Sequence, residues 1–129
     1  MEQLIQKAIE ARKKAYAPYS GFFVGAALEC HDGTVYTGCN IENAAFSPTN
    51  CAERTAFFKA VSEGQRSFRR IAIVGGKEGE MAAPSPCGVC LQVMAEFCVA
   101  DEFEIVMARN EKEFTCRKLS ELLPSSFSL

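Results

Sequence analysis

The sequence predicts an α/β protein, a three-layer α/β/α sandwich built on a mixed five-stranded sheet. Three observations carry this expectation. Asp32-Gly33 joins two β-prone runs, FVGAALEC (23 to 30) and TVYTGCNI (34 to 41), which predicts an antiparallel hairpin. Strand, helix and strand follow one another from Ile71 to Met107, the signature of a parallel crossover. The whole chain reads αββαβαββα, with no repeat, linker or change of composition inside its 129 residues, so residues 1–129 are expected to form one domain.

Each element has its own signal. Leu4, Ile5, Ala8, Ala11 and Ala15 recur at helical spacing until Pro18 forbids continuation. After the hairpin, NAAFSPTN (43 to 50) is turn chemistry, with Asn50 expected to cap the helix that begins CAERTAFFKAVSEG and Gly64 expected to stop it. IAIVGG (71 to 76) reads as a short buried strand, and GKEGEMAAPSP as the loop that delivers the chain to Cys87. A helix runs on through Gln92 to Cys98. FEIVMA (103 to 108) and EFTC (113 to 116) are two strands around an Arg109-Asn110 turn, and KLSELLP is a short last helix before SSFSL.

Composition narrows the function classes. A chain of this length buries roughly two-thirds of its surface and needs no disulfide staple. The first sixteen residues carry acidic groups and no long apolar stretch, so neither a signal peptide nor a membrane anchor is expected, and the cytoplasm is the expected compartment. In that reducing setting seven cysteines suggest metal ligation rather than disulfides. A net charge of −2 gives no basic field for nucleic acid, and Arg66, Arg69 and Arg70 read as a solvated connection between helix and strand.

Cys87 and Cys90, in PSPCGVCLQ, form a Cys-x-x-Cys pair, which can be half of a zinc site, a redox couple or two small core residues. His31, the one histidine, sits in the hairpin turn and is expected to be solvated. Cys30, Cys39, Cys98 and Cys116 lie in apolar runs and read as core packing. Cys51 differs, because it stands at the head of a helix, as Cys87 and Cys90 do. Helix N-termini favour thiolate, so three thiolates from two such termini could converge on one ion. Glu53, in the first turn, is a favourable charge on the helix dipole when taken alone; beside an open zinc position it acquires a second use.

GCNIENAAFSPTNCAERTAF (38 to 57) together with SPCGVCLQVM (85 to 94) resembles the zinc-dependent cytidine deaminases, in particular the small homotetrameric kind with three cysteine ligands. The likeness extends from AYAPYSGFFVGAAL to ELLPSSF and so covers nearly the whole chain. It implies that Cys51, Cys87 and Cys90 ligate one zinc ion per subunit, and that Glu53 is the acid/base that moves protons between water, ring N3 and the departing ammonia. It implies that Asn40 and Glu42 bind the ribose hydroxyls, that Phe22 and Ala52 lie against the substrate, and that Phe127 reaches the base in a neighbouring subunit's pocket. It also implies that Arg54 stands behind the thiolates. The activity implied is hydrolytic deamination of cytidine and deoxycytidine to uridine and deoxyuridine, within pyrimidine salvage, by a homotetramer whose active sites are shared between subunits.

Two positions depart from the family pattern. Leu91 stands where an arginine usually follows the second cysteine of PCGxC, so a cation expected beside the thiolates is missing. Phe23 replaces a common proline and is expected to alter the pocket edge. Glu42, taken as a buried carboxylate against the ribose, is expected to repel a phosphate on the adjacent hydroxyl and so to favour free nucleosides. The competing readings are a deaminase for another cytosine-bearing nucleoside, a structural zinc site closed by a fourth cysteine, and a redox role for Cys87 and Cys90.

Overall fold

In the computed structural model, which describes residues 1–129, nine elements follow the predicted order: α1 (Glu2–Arg12), β1 (Phe22–Cys30), β2 (Val35–Cys39), α2 (Ala52–Ser62), β3 (Phe68–Lys77), α3 (Gly88–Phe97), β4 (Glu104–Ala108), β5 (Phe114–Lys118) and α4 (Leu119–Leu122). The sheet runs β2-β1-β3-β4-β5. Only β3 and β4 are parallel, joined by the crossover through α3; every other neighbouring pair is antiparallel. The sandwich and its mixed sheet are therefore as the sequence predicted.

The two-residue period of the strands divides the core. Ala26, Leu28, Ile71, Ile73 and Ile105 point to one face, where α2, α3 and α4 cover them; Ala27, Ala72, Val74, Val106 and Ala108 point to the other, under Leu4, Ile5 and Ala8 of α1. Phe57 of α2 and Phe97 of α3 meet Phe68 and Phe103, with ring centroids 5.0 to 6.4 Å apart. Such pairs add about 0.5–1.5 kcal/mol each to the burial of the rings, and they lock the C-terminal halves of the two helices to the sheet.

The hairpin turn is as expected: Thr34 N–H donates to Asp32 Oδ1 at 2.9 Å, and the ring of exposed His31 meets Ser67 Oγ at 2.7 Å. The end of α2 is a Schellman turn, with Gly64 at φ +97° and the Gln65 N–H donating to the Ala60 carbonyl at 3.1 Å. Three expectations need correction. The N-cap of α2 is Cys51, not Asn50; the Asn50 amide donates to Thr55 Oγ1 at 3.2 Å. β3 starts at Phe68, so Arg69 and Arg70 are strand residues, and Arg70 lies 3.4 Å from both Glu29 and Glu104 on the flanking strands. Cross-strand pairing outweighs the polarity that suggested a connection. Finally, β2 ends at Cys39; beyond it the Asn40 N–H still donates to the Val24 carbonyl at 3.2 Å, and its side chain adds two contacts to β1, Oδ1 accepting from Val24 N–H at 2.9 Å and Nδ2 donating to the Phe22 carbonyl at 2.8 Å.

The loop that leads to Cys87 is anchored by a residue far away in sequence. Arg12, at the end of α1, donates to the carbonyls of Phe23, Gly76, Lys77 and Glu80 at 2.8 to 3.0 Å. The Phe23 carbonyl lies at the start of β1, and the other three at the end of β3 and in the turn beyond it, so one guanidinium ties β1, β3 and that turn together.

Candidate active site

Three sulfurs meet where two helices begin. Cys51 is the N-cap of α2, Cys87 the N-cap of α3, and Cys90 lies in the first turn of α3. The three Sγ atoms all lie within 4.8 Å of one another, Cys51 and Cys87 at 3.9 Å. Tetrahedral zinc with ~2.3 Å zinc–sulfur bonds requires sulfurs ~3.8 Å apart, so the donor set fits the ion in both chemistry and spacing. No fourth Cys, His, Asp or Glu belongs to the group, which excludes the fourth cysteine that a closed structural site requires. Cys30, Cys39, Cys98 and Cys116 stand apart from it, as expected, and burial raises the pKa of each of their thiols.

The surroundings supply positive charge to the sulfurs. Arg54 Nη2 donates to Cys51 Sγ at 3.2 Å, and the Cys90 N–H donates to Cys87 Sγ at 3.4 Å. A hydrogen bond from Cys90, and then Arg54, pull the Cys51 pKa well below the ordinary thiol value, while the Cys51 partnership and burial push that of Cys90 up. Leu91, at the position where a cation was expected, is 7% exposed and packs into the core beneath α2 and α3. Arg54 is therefore the cation in contact with the sulfur cluster. Replacing Arg54 with Gln is expected to raise the zinc dissociation constant by about tenfold or more, since a hydrogen bond from a charged group contributes ~1.5–3 kcal/mol; chelator competition measures it, and an unchanged constant would refute the role.

The cluster opens into a cleft of about 260 Å³ whose lining includes Phe22, Asn40, Glu42, Ala52 and Glu53. A larger groove of about 450 Å³ lies between α1 and α2 under Lys7, Lys14 and Lys59, but its lone sulfur, Cys39, has no partner to form a reactive set, so the chemistry belongs to the smaller cleft. Glu53 is 5% exposed at the floor of that cleft and receives no hydrogen bond from another residue's side chain. Burial first, and then the Cys51 charge, push its carboxyl up to about 7.

The wall opposite is held by a small ladder outside the main sheet. Tyr16 pairs with Ile41, Ile41 pairs with Asn50, and the Glu42 N–H donates to the Tyr16 carbonyl at 2.8 Å. Glu42 is only half-buried, contrary to expectation, because its carboxylate faces the Tyr19-Ser20 turn; it accepts from the two backbone N–H groups at 3.0 and 3.1 Å and from Ser20 Oγ. The Ser20 hydroxyl and those N–H groups hold its pKa below the ordinary carboxylate value. Phe23 is a further correction. It alternates with Phe22 along β1 and lines a separate concavity beside Arg12 and Lys13, so it does not touch the cleft edge. Phe127 is 69% exposed and lies outside the lining of its own chain's cleft. Sequence reasoning missed Ser20, Thr49 and Ser85, whose hydroxyls lie in turn segments and carry no periodic signal.

An α/β/α sandwich that presents three thiols and a buried carboxyl at two helix N-termini defines a class, the zinc-site proteins with an open coordination position. Residues 1–107 match the family model for the cytidine and deoxycytidylate deaminase zinc-binding region. The chain is 52% identical over 128 residues to a cytidine deaminase of Sporosarcina psychrophila, covering 99% of this chain and 91% of that one. It is 49% identical to one of Halalkalibacterium halodurans over 98% of this chain and 93% of that one. Among solved structures, the cytidine deaminase of Burkholderia pseudomallei superposes with a TM-score of 0.86 at 46% identity, covering 97% of each chain. That of Mycobacterium tuberculosis gives 0.83 at 38%, covering 98% of this chain and 96% of that one. The chain belongs to the zinc-binding cytidine deaminase family, and its Cys51, Cys87 and Cys90 form the group suited to the ion.

Proposed function

We propose that this protein hydrolyses cytidine and deoxycytidine to uridine and deoxyuridine with release of ammonia, and that residues 1–129 act as one catalytic unit. The observation that carries the reading is the placement of Glu53, a buried carboxyl without a side-chain partner, on the floor of the cleft into which the thiols open. A structural zinc site has no use for such a group, and burying a carboxyl costs stability.

Zinc bound by Cys51, Cys87 and Cys90 supplies Lewis acidity, which makes a water nucleophilic near neutral pH. Glu53 takes a proton from the attacking water and delivers it to ring N3 as C4 becomes tetrahedral. It then hands a proton to the exocyclic nitrogen, which leaves as ammonia while the C4 carbonyl forms. Water adds one oxygen and two hydrogens; the base loses its amine and gains an oxygen, so the step balances. Arg54 and the helix N-termini offset the thiolate charge. Asn40 spends one acceptor and one donor on β1, which leaves a lone pair and an N–H for a ribose hydroxyl. Glu42, with its oxygens oriented by Ser20, accepts from a second hydroxyl, Phe22 and Ala52 wall the pocket, and Phe127 covers the base in a neighbouring subunit of a homotetramer.

Free thiols poised for a metal suit a reducing cytoplasm, and the product suits pyrimidine salvage. No helix is long and apolar enough to cross a membrane. Incubating zinc-replete protein with cytidine and following its conversion to uridine tests the reading; loaded protein without turnover would refute it. The ionised Glu42 also sets an expectation for specificity. Cytidine 5′-monophosphate and single-stranded DNA should be turned over less efficiently than cytidine, because a phosphate beside the ionised carboxylate is repelled. Comparable kcat/KM values would remove the carboxylate from that role.

A further inference from the structure

We infer that Gln92 is a positioning residue that sets the C-terminal tail, and with it the Phe127 ring, for the active site. The backbone makes its last internal hydrogen bond at Leu123, whose N–H donates to the Leu119 carbonyl at 2.8 Å. Residues 124 to 129 are all exposed and make no backbone pairing. A terminus of this kind frays unless something ties it down. Here one side chain does so. Gln92 Nε2 donates to the Phe127 carbonyl at 2.8 Å, and Gln92 Oε1 accepts from the Phe127 N–H at 3.3 Å.

A primary amide is suited to this, since it offers a donor and an acceptor side by side and can imitate a strand partner for a single residue. Both contacts go to one residue's backbone, so they fix the direction of its side chain without touching it. Gln92 lies on α3, the helix that carries Cys87 and Cys90, and half-burial limits its freedom. The tail is thus referenced to the metal-binding helix, while the Phe127 ring, 69% exposed and outside its own chain's cleft, is held out for another molecule to cover. Holding it there in advance removes an ordering cost from substrate binding. The inference rests on the proposed deaminase reading, in which Phe127 closes over the base of a neighbouring subunit.

The test compares full-length, zinc-loaded wild type with Gln92→Ala, Gln92→Glu, Phe127→Ala and the double variant Gln92→Ala/Phe127→Ala. Gln92→Ala is expected to raise KM for cytidine about tenfold while kcat stays within about twofold, the pattern of lost binding rather than lost chemistry. Gln92→Glu keeps the shape but turns an acceptor toward the Phe127 carbonyl, so it should behave like Gln92→Ala. The double variant should be no worse than Phe127→Ala, because Gln92 acts through Phe127. Amide exchange at Phe127, slow in the wild type, should become fast in Gln92→Ala, a readout independent of turnover. Unchanged KM in Gln92→Ala, or additive losses in the double variant, would overturn the inference alone. No turnover by the wild type would overturn the deaminase reading and the inference with it.

Discussion

Changing Glu53 to Gln is expected to lower kcat on cytidine by about 10²–10⁴-fold, the usual contribution of a positioned acid/base group, while the zinc content remains that of the wild type. The expectation follows from geometry. Glu53 lies two residues after a thiol at a helix N-terminus, buried at the cleft floor, and it is not one of the grouped ligands. Gln keeps the volume and removes the proton carrier, so the sulfur cluster has no reason to change. Gln is still a buried polar group but cannot ionise, so it avoids the cost of a buried charge that pushes the Glu53 pKa up to about 7, and above that pH the variant should be at least as resistant to denaturant as the wild type. Turnover, metal analysis and a urea melt on one preparation suffice. Loss of zinc together with activity would mean that Glu53 serves the metal site rather than the proton.

That combination of residues was legible in the sequence because its parts are local. Cys51, Cys87 and Cys90 stand at helix heads and the other four cysteines lie in apolar runs; the structure groups the first three and leaves the others apart. The hairpin and the stop of α2 were readable for the same reason, since Asp32-Gly33 and Gly64 act within a few residues of themselves. What was not legible depends on partners distant in the chain. Nothing in the local pattern around Arg12 announces four carbonyls drawn from residues 23 to 80. Asn40 reads as a residue of the strand TVYTGCNI, yet it lies beyond β2 and pairs with β1 through its side-chain amide as well as its backbone. Arg69 and Arg70 read as a connection because polarity at a strand end resembles one, and the flanking acids Glu29 and Glu104 that pair with Arg70 lie far off in the chain. The half-burial of Glu42 follows from the Tyr19-Ser20 turn, twenty-odd residues earlier, so its environment could not be inferred from NIEN alone.

Replacing Gly38 with Ala should damage the site although Gly38 is not part of its lining. Gly38 lies on β2 directly beneath the first turn of α2, and a Cβ there would stand 2.5 Å from the Ala52 carbonyl oxygen and 2.6 Å from the Ala56 nitrogen. Both obstacles are backbone, so no side chain can turn away. α2 would have to lift by about 1 Å to reach van der Waals contact, and a displacement of that size in catalytic groups can cost about 10²-fold in rate. The lift falls where Cys51 and Glu53 are carried, whereas Cys87 and Cys90 ride on α3 and would stay with it. The sulfur cluster would be pulled apart between two helices, and weaker zinc retention should accompany the slower turnover. Overpacking of this kind also costs about 1–3 kcal/mol of stability. Gly88→Ala is the control: it adds the same methyl between two of the thiols, at a position where a Cβ meets nothing within 4 Å. If Gly88→Ala retains activity and zinc while Gly38→Ala loses both, the close approach of α2 to β2 sets the geometry of the thiols. If Gly38→Ala also retains them, α2 accommodates the methyl without moving its first turn, and the site is less tightly referenced to the sheet than these distances imply.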